Sequence, residues 1–114
     1  MKTAASRERD LRDGLRRATT TVEQKTLTGK TLAYVNDEGP INIVIDPARG
    51  GLIESVVHEL VHRVWARPLR MWGDAEETLV IALEQDVMYH INAKPSRVRW
   101  WRQAIAKKLA QGAE

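Results

Sequence analysis

The sequence predicts an α+β fold: a small β-sheet of two to three strands, then an apolar helix, a glutamate-bearing helix and a C-terminal helix. Three observations carry this. INIVID (41–46) alternates, with Ile41, Ile43 and Ile45 on one face and Asn42, Val44 and Asp46 on the other, which is a strand pattern. LIESVVHELVHRVWA (52–66) is an apolar helical run that Pro68 ends, because the residue before a proline avoids the helical region. From residue 74 onward, helical spacing of apolar residues takes over.

The elements follow in chain order, within a single domain over 1–114. Residues 1–18 have few apolar positions, mainly Leu11 and Leu15, and read as a weak, solvated helical arm. Residues 20–46 are β-rich: TTVEQKTLTGKTLAYVN favours one or two strands, NDEGP is a turn, and INIVID is the best strand. Residues 52–66 form the strongest helix. Asp74 is a natural N-cap with Glu77 as its capping-box partner, which opens a helix over 75–92. Ser96 caps a last helix over 96–110.

Composition narrows the function classes. The chain has no cysteine, which excludes disulfides and thiolate metal sites. The N-terminus lacks the apolar stretch of a secretory signal, and no run approaches the roughly 18 residues of a membrane span, so the expected location is cytoplasmic. Charge is unevenly placed. Residues 1–17 carry a net +3, residues 94–114 a net +5, and residues 18–93 a net −5. An acidic centre between basic ends suits a site that uses carboxylates on a cation better than a uniformly basic nucleic-acid surface.

The acidic centre contains HELVH, residues 58–62. On a helix, positions four apart share a face, so His58 and His62 can bind one Zn²⁺ together. Glu59 lies beside them and can reach a water activated there, which is the logic of the HExxH motif: two ligands and a general base. The surrounding helix is apolar nearly all round, through Leu52, Ile53, Val56, Val57, Leu60, Val61, Val64 and Trp65. Buried polar groups without partners cost a few kcal/mol each. A metal satisfies both imidazoles at once.

A catalytic zinc site takes a third protein ligand. Trp65 and Pro68 occupy the positions where the metzincin continuation would need Gly and His, so that class is excluded. The remaining candidates are Glu76, Glu77, Glu84, Asp86 and His90 on the next helix. Helical periodicity favours Glu76, while Glu84 and Asp86 read as structural, solvated positions rather than ligands.

HELVH, a following helix that opens Glu76-Glu77, and an apolar ladder Val80, Val87, Ile91 ending near Asp86 together resemble the gluzincin metallopeptidases. More narrowly, the chain is similar to the minimal single-domain members, or minigluzincins, and to small phage-type metallopeptidases. The resemblance spans about residues 40–92. It implies a zinc metalloendopeptidase with His58, His62 and Glu77 as metal ligands and Glu59 as general base. It also implies a peptide or protein substrate bound in extended form against the INIVID strand. An oxyanion-stabilising side chain is expected among Tyr34, Tyr89, His90 and Arg63. The link Arg67-Pro-Leu-Arg-Met-Trp is more basic and aromatic than the short link the resemblance implies.

The C-terminal RVRWWRQAIAKKLAQ mixes five cations with Trp100 and Trp101. Val98, Trp101, Ile105 and Leu109 recur at helical spacing, as in a helix that packs one face and solvates its cations. Minimal gluzincins can be latent, and this segment would then cover the cleft. The competing expectation is a basic nucleic-acid-binding module, or a catalytically silent interaction domain, with a structural zinc site.

Overall fold

A computed structural model describes residues 2–70 and 72–112. The elements are α1 (Ala4–Arg16), β1 (Thr21–Gln24), β2 (Ala33–Val35), β3 (Asn42–Ile45), α2 (Leu52–Val61), a π-helical turn (His62–Ala66), α3 (Gly73–Asn92) and α4 (Pro95–Gly112). The order is α+β as the sequence predicts, with α1 ahead of the sheet.

The sheet has the order β1-β3-β2, with β1 parallel and β2 antiparallel to β3. INIVID is therefore its central strand, paired on both sides. The expectation that a substrate adds to this strand is corrected: its hydrogen bonds are already taken. The edge strands are β1, against which α4 packs, and β2. Leu32 and Asn36 bond across to Asp46 and Asn42. By the alternation of an antiparallel ladder, the backbone groups of Ala33 and Val35 point outward. The turn between β2 and β3 is built by Asn36, whose Nδ2 donates to Glu38 O and Pro40 O while its Oδ1 accepts from Asn42 N. Gly39 takes the positive φ of 77° that this turn requires.

Helix α2 is the hub. It contacts α1, α3, α4, β2 and β3, and Val56, Val57, Leu60 and Val61 are fully buried. After His62 the helix widens by one residue, with Arg67 N donating to His62 O at 2.9 Å. Such π turns mark functional segments often enough to direct attention here.

Three local expectations change. Asp74 does not cap α3. The helix starts at Gly73, and Trp72 at the cap position makes no side-chain hydrogen bond. The last helix starts at Pro95, one residue before Ser96, where a proline's fixed φ and missing N–H suit the first turn. Helix α1 is part of the core, not a solvated arm. Leu11 and Leu15 have no exposed surface, and Thr3 and Ser6 form a capping box at its start. Among the described residues, no helix is long and apolar enough to cross a membrane.

Candidate metal centre

Two adjacent elements make the site. Helix α2 presents His58 and His62 on one face, their ring centroids 4.9 Å apart and their Nε2 atoms 3.2 Å apart. Helix α3 packs on α2 and brings Glu77 to the same point. Its Oε1 lies 3.0 Å from His58 Nε2 and its Oε2 3.3 Å from His62 Nε2. His58, His62 and Glu77 are thus close enough together to hold a metal ion. Ligand atoms about 2.0–2.1 Å from a tetrahedral ion stand about 3.3 Å from one another, so these spacings fit a small ion at the centre.

The other ring nitrogens fix the orientation. His58 Nδ1 lies 2.8 Å from Glu84 Oε1, and His62 Nδ1 lies 2.7 Å from Glu76 Oε1. An ionised carboxylate only accepts, so in the neutral tautomer that donates through Nδ1 to these carboxylates each imidazole turns the lone pair of Nε2 inward. Two lone pairs and the Glu77 carboxylate then face one another with no donor between them. Such a convergence of acceptors calls for a cation.

Glu76 is itself held. Arg67 Nε donates to Glu76 Oε1 at 2.9 Å, Arg67 also pairs with Asp37, and the Trp72 ring lies 5.7 Å from the guanidinium carbon. The π turn delivers Arg67 to this position, which connects the helix irregularity to the support of His62. The basic, aromatic link is therefore part of the site's frame.

Electrostatics separate the carboxylates. Burial pushes the Glu76 carboxyl up, but hydrogen bonds and charge from His62 and Arg67 outweigh it, and the net shift is below the usual 4.5. Burial pushes Glu59 up as well, and there it prevails: His58 and His62 only partly offset it, and the net shift is above 4.5. Glu59 is 7 % exposed and lines the cleft. Among the described residues nothing hydrogen-bonds its carboxylate. For His58, burial lowers the pKa, while the hydrogen bond and charge of Glu84, with Glu59 and Glu77, raise it. The net shift is above 6.5.

The cleft has a volume of about 600 Å³. Residues 30–35 form one wall, α2 the floor, and Glu77, Ile81 and Glu84 the other wall. Leu32, Tyr34 and Ile81 put exposed apolar surface on both walls.

Of the sequence candidates, His58, His62 and Glu77 come together and Glu59 sits beside them. Glu76, which periodicity favoured, is placed behind His62, on its Nδ1 side. Glu84, a candidate ligand that also fitted a solvated position, holds His58. The signal was its seven-residue spacing from Glu77, two helical turns along the same face. Asp86 lies outside the cleft and pairs with Arg7 at 3.3 Å. His90 also lies outside, 3.4 Å from Glu8, and its backbone oxygen accepts from Arg97. Tyr89 is 83 % exposed away from the cleft, and Arg63 donates to Gly39 O. Of the four oxyanion candidates, Tyr34 alone lines the cleft. No residue of α4 does, so the C-terminal helix does not cover it. No family model, curated protein or solved structure matches this chain.

Proposed function

We propose that the chain is a zinc-dependent metallopeptidase of the gluzincin type. The observation that carries this reading is the convergence of His58 Nε2, His62 Nε2 and Glu77, with both Nδ1 atoms tied to carboxylates. Nitrogen and carboxylate ligands at tetrahedral spacing, without thiolates, suit Zn²⁺, and an Asp/Glu–His pair behind each imidazole is the usual way such ligands are oriented. His58, His62 and Glu77 would hold the ion, which would supply a Lewis acid for the scissile carbonyl and lower the pKa of a water to near 7.

The chain's own residues do the rest. Glu59 faces the cleft with a raised pKa and no hydrogen-bond partner among the described residues, so its carboxylate is available as a general base. It takes a proton as water adds to the carbonyl carbon. It returns that proton to the amine as the C–N bond breaks. The outward backbone groups of Ala33 and Val35 offer an extended peptide an antiparallel partner along the cleft wall. Leu32, Tyr34 and Ile81 accept apolar side chains near the scissile bond. Tyr34 is the residue available to donate a hydrogen bond to the developing oxyanion.

The test is metal content measured beside cleavage. Purified wild type should carry about one zinc per chain, as a single three-ligand site requires, and His58→Ala and Glu77→Gln should carry almost none. Glu59→Gln should keep its zinc and lose about 10²- to 10⁴-fold in peptide cleavage. A wild type that purifies without metal and is not stabilised by added zinc would overturn the reading. Zinc binding without any Glu59-dependent cleavage would remove the peptidase part alone.

A further inference from the structure

The two basic ends of the chain, far apart in sequence, lie side by side in the fold. Helix α4 contains five Lys/Arg and no Asp or Glu. Two of these cations are engaged inward: Lys108 Nζ donates to Arg17 O and Thr20 O, and Arg97 to His90 O. Arg99, Arg102 and Lys107 are exposed. Arg99 and Lys107 are eight residues apart, about 80° around the helix and about 12 Å from each other along it. On α1, Arg9, Arg12 and Arg16 follow the spacing of a single stripe.

Trp100 joins the stripes. Arg12 stands 4.4 Å and Arg16 5.9 Å from its ring centroid, and Trp101 Nε1 donates to Glu8, the carboxylate that also holds Arg12. Between the helices runs a groove of about 410 Å³ lined by Leu15, Arg16, Ala104, Lys107, Lys108 and Gln111. The acids nearby leave an excess of cations: Glu8 is buried beneath Arg12, and Asp13 answers Arg16 at 2.8 Å.

We propose that this α1–α4 face binds the phosphodiester backbone of nucleic acid, without reading sequence. Guanidinium groups match phosphate oxygens bidentately, and rows of them on two helices fit a repeating anion better than an isolated one. The exposed large apolar residues, Leu32, Tyr34, Leu69, Trp72, Ile81 and Tyr89, all lie outside α1 and α4, so the face has no apolar anchor for a bilayer. Neither helix lines the metal cleft. The inference therefore does not rest on the peptidase reading.

The test uses the full zinc-loaded chain and fluorescently labelled mixed-sequence duplex DNA and single-stranded RNA. With about four phosphates neutralised, log K should fall against log salt with a slope near −3 to −4, a loss of about 100-fold between about 50 and 200 mM salt. The double variant Arg99→Glu/Lys107→Glu should weaken binding at least about 10-fold and lower the slope by about two. Its zinc content and melting temperature should match wild type, and chelating the zinc should leave nucleic-acid affinity unchanged. Absence of binding at about 50 mM salt would overturn the proposal. So would affinity and slope that the double variant leaves unchanged, or binding to phosphatidylserine vesicles in place of nucleic acid.

Discussion

At the scale of single residues, the site is a chain of orientation running outward from two imidazoles. His62 is oriented by Glu76, and Glu76 by Arg67. His58 is oriented by Glu84. Arg67→Met should therefore weaken zinc affinity about 10- to 100-fold although Arg67 touches no ligand atom, and Glu84→Gln should do the same through His58, both measured by competition with a chromogenic chelator. Arg67→Lys should recover only part of the loss, because an ammonium cannot reproduce the guanidinium's directed Nε contact. Glu76→Gln tests the assignment of the two adjacent glutamates. It should keep zinc at reduced affinity, whereas Glu77→Gln should lose it.

The metal-free protein should also show a defined pH response. The raised pKa of His58 contributes stability that is present below 6.5 and lost as pH rises through its folded value. The raised pKa of Glu59 acts in the same direction: stability falls as pH rises from 4.5 through its folded value, because the buried carboxylate must ionise. The chelated protein should thus lose thermal stability as pH rises through this range. Zinc binding needs both Nε2 atoms free of protons, so the stabilisation by zinc should grow over the same range. Parallel melting curves with and without zinc would count against this account of the site.

At the scale of elements, two irregularities matter more than the regular segments. The π turn sets Arg67 where it can reach Glu76, and the short β2 supplies the edge that the cleft exposes. Ala33 presents its N–H outward, so Ala33→Pro removes a donor from the cleft wall without removing one from the ladder to β3. The expected outcome is a raised KM for extended peptide substrates with zinc content unchanged. An unaltered KM would argue that substrates do not pair with β2. HELVH, the helix around it and the INIVID strand were legible because each is a local pattern of period 3.6 or 2. The pairing of INIVID on both sides was not legible, because strand neighbours are chosen by long-range packing. The capping role expected of Asp74 failed for a related reason: Glu77, its expected partner, is drawn to the histidines.

At the scale of the whole molecule, α1 and α4 close the core around α2. Trp101 and Ile105 are fully buried, and Trp101 also donates to buried Glu8. Trp101→Ala should cost about 3–5 kcal/mol in denaturant unfolding. Removing residues 96–114 should unfold the protein, with loss of the cooperative transition in circular dichroism. A folded truncation with higher peptidase activity would instead restore the idea of a covering tail. The same packing brings together basic segments separated by some eighty residues of sequence.

The sequence by itself determined the α+β order and the helix that carries HELVH, with its two histidines and the glutamate between them. These follow from local periodicity and from residue chemistry at fixed helical spacing. Only the tertiary structure decided which adjacent glutamate faces the imidazoles and which supports them. Glu76 and Glu77 differ by about 100° around α3, and the angle at which α3 meets α2 selects between them. It also decided that the chain's two basic ends share one surface, since that contact depends on the buried tryptophan and carboxylate that join α1 to α4.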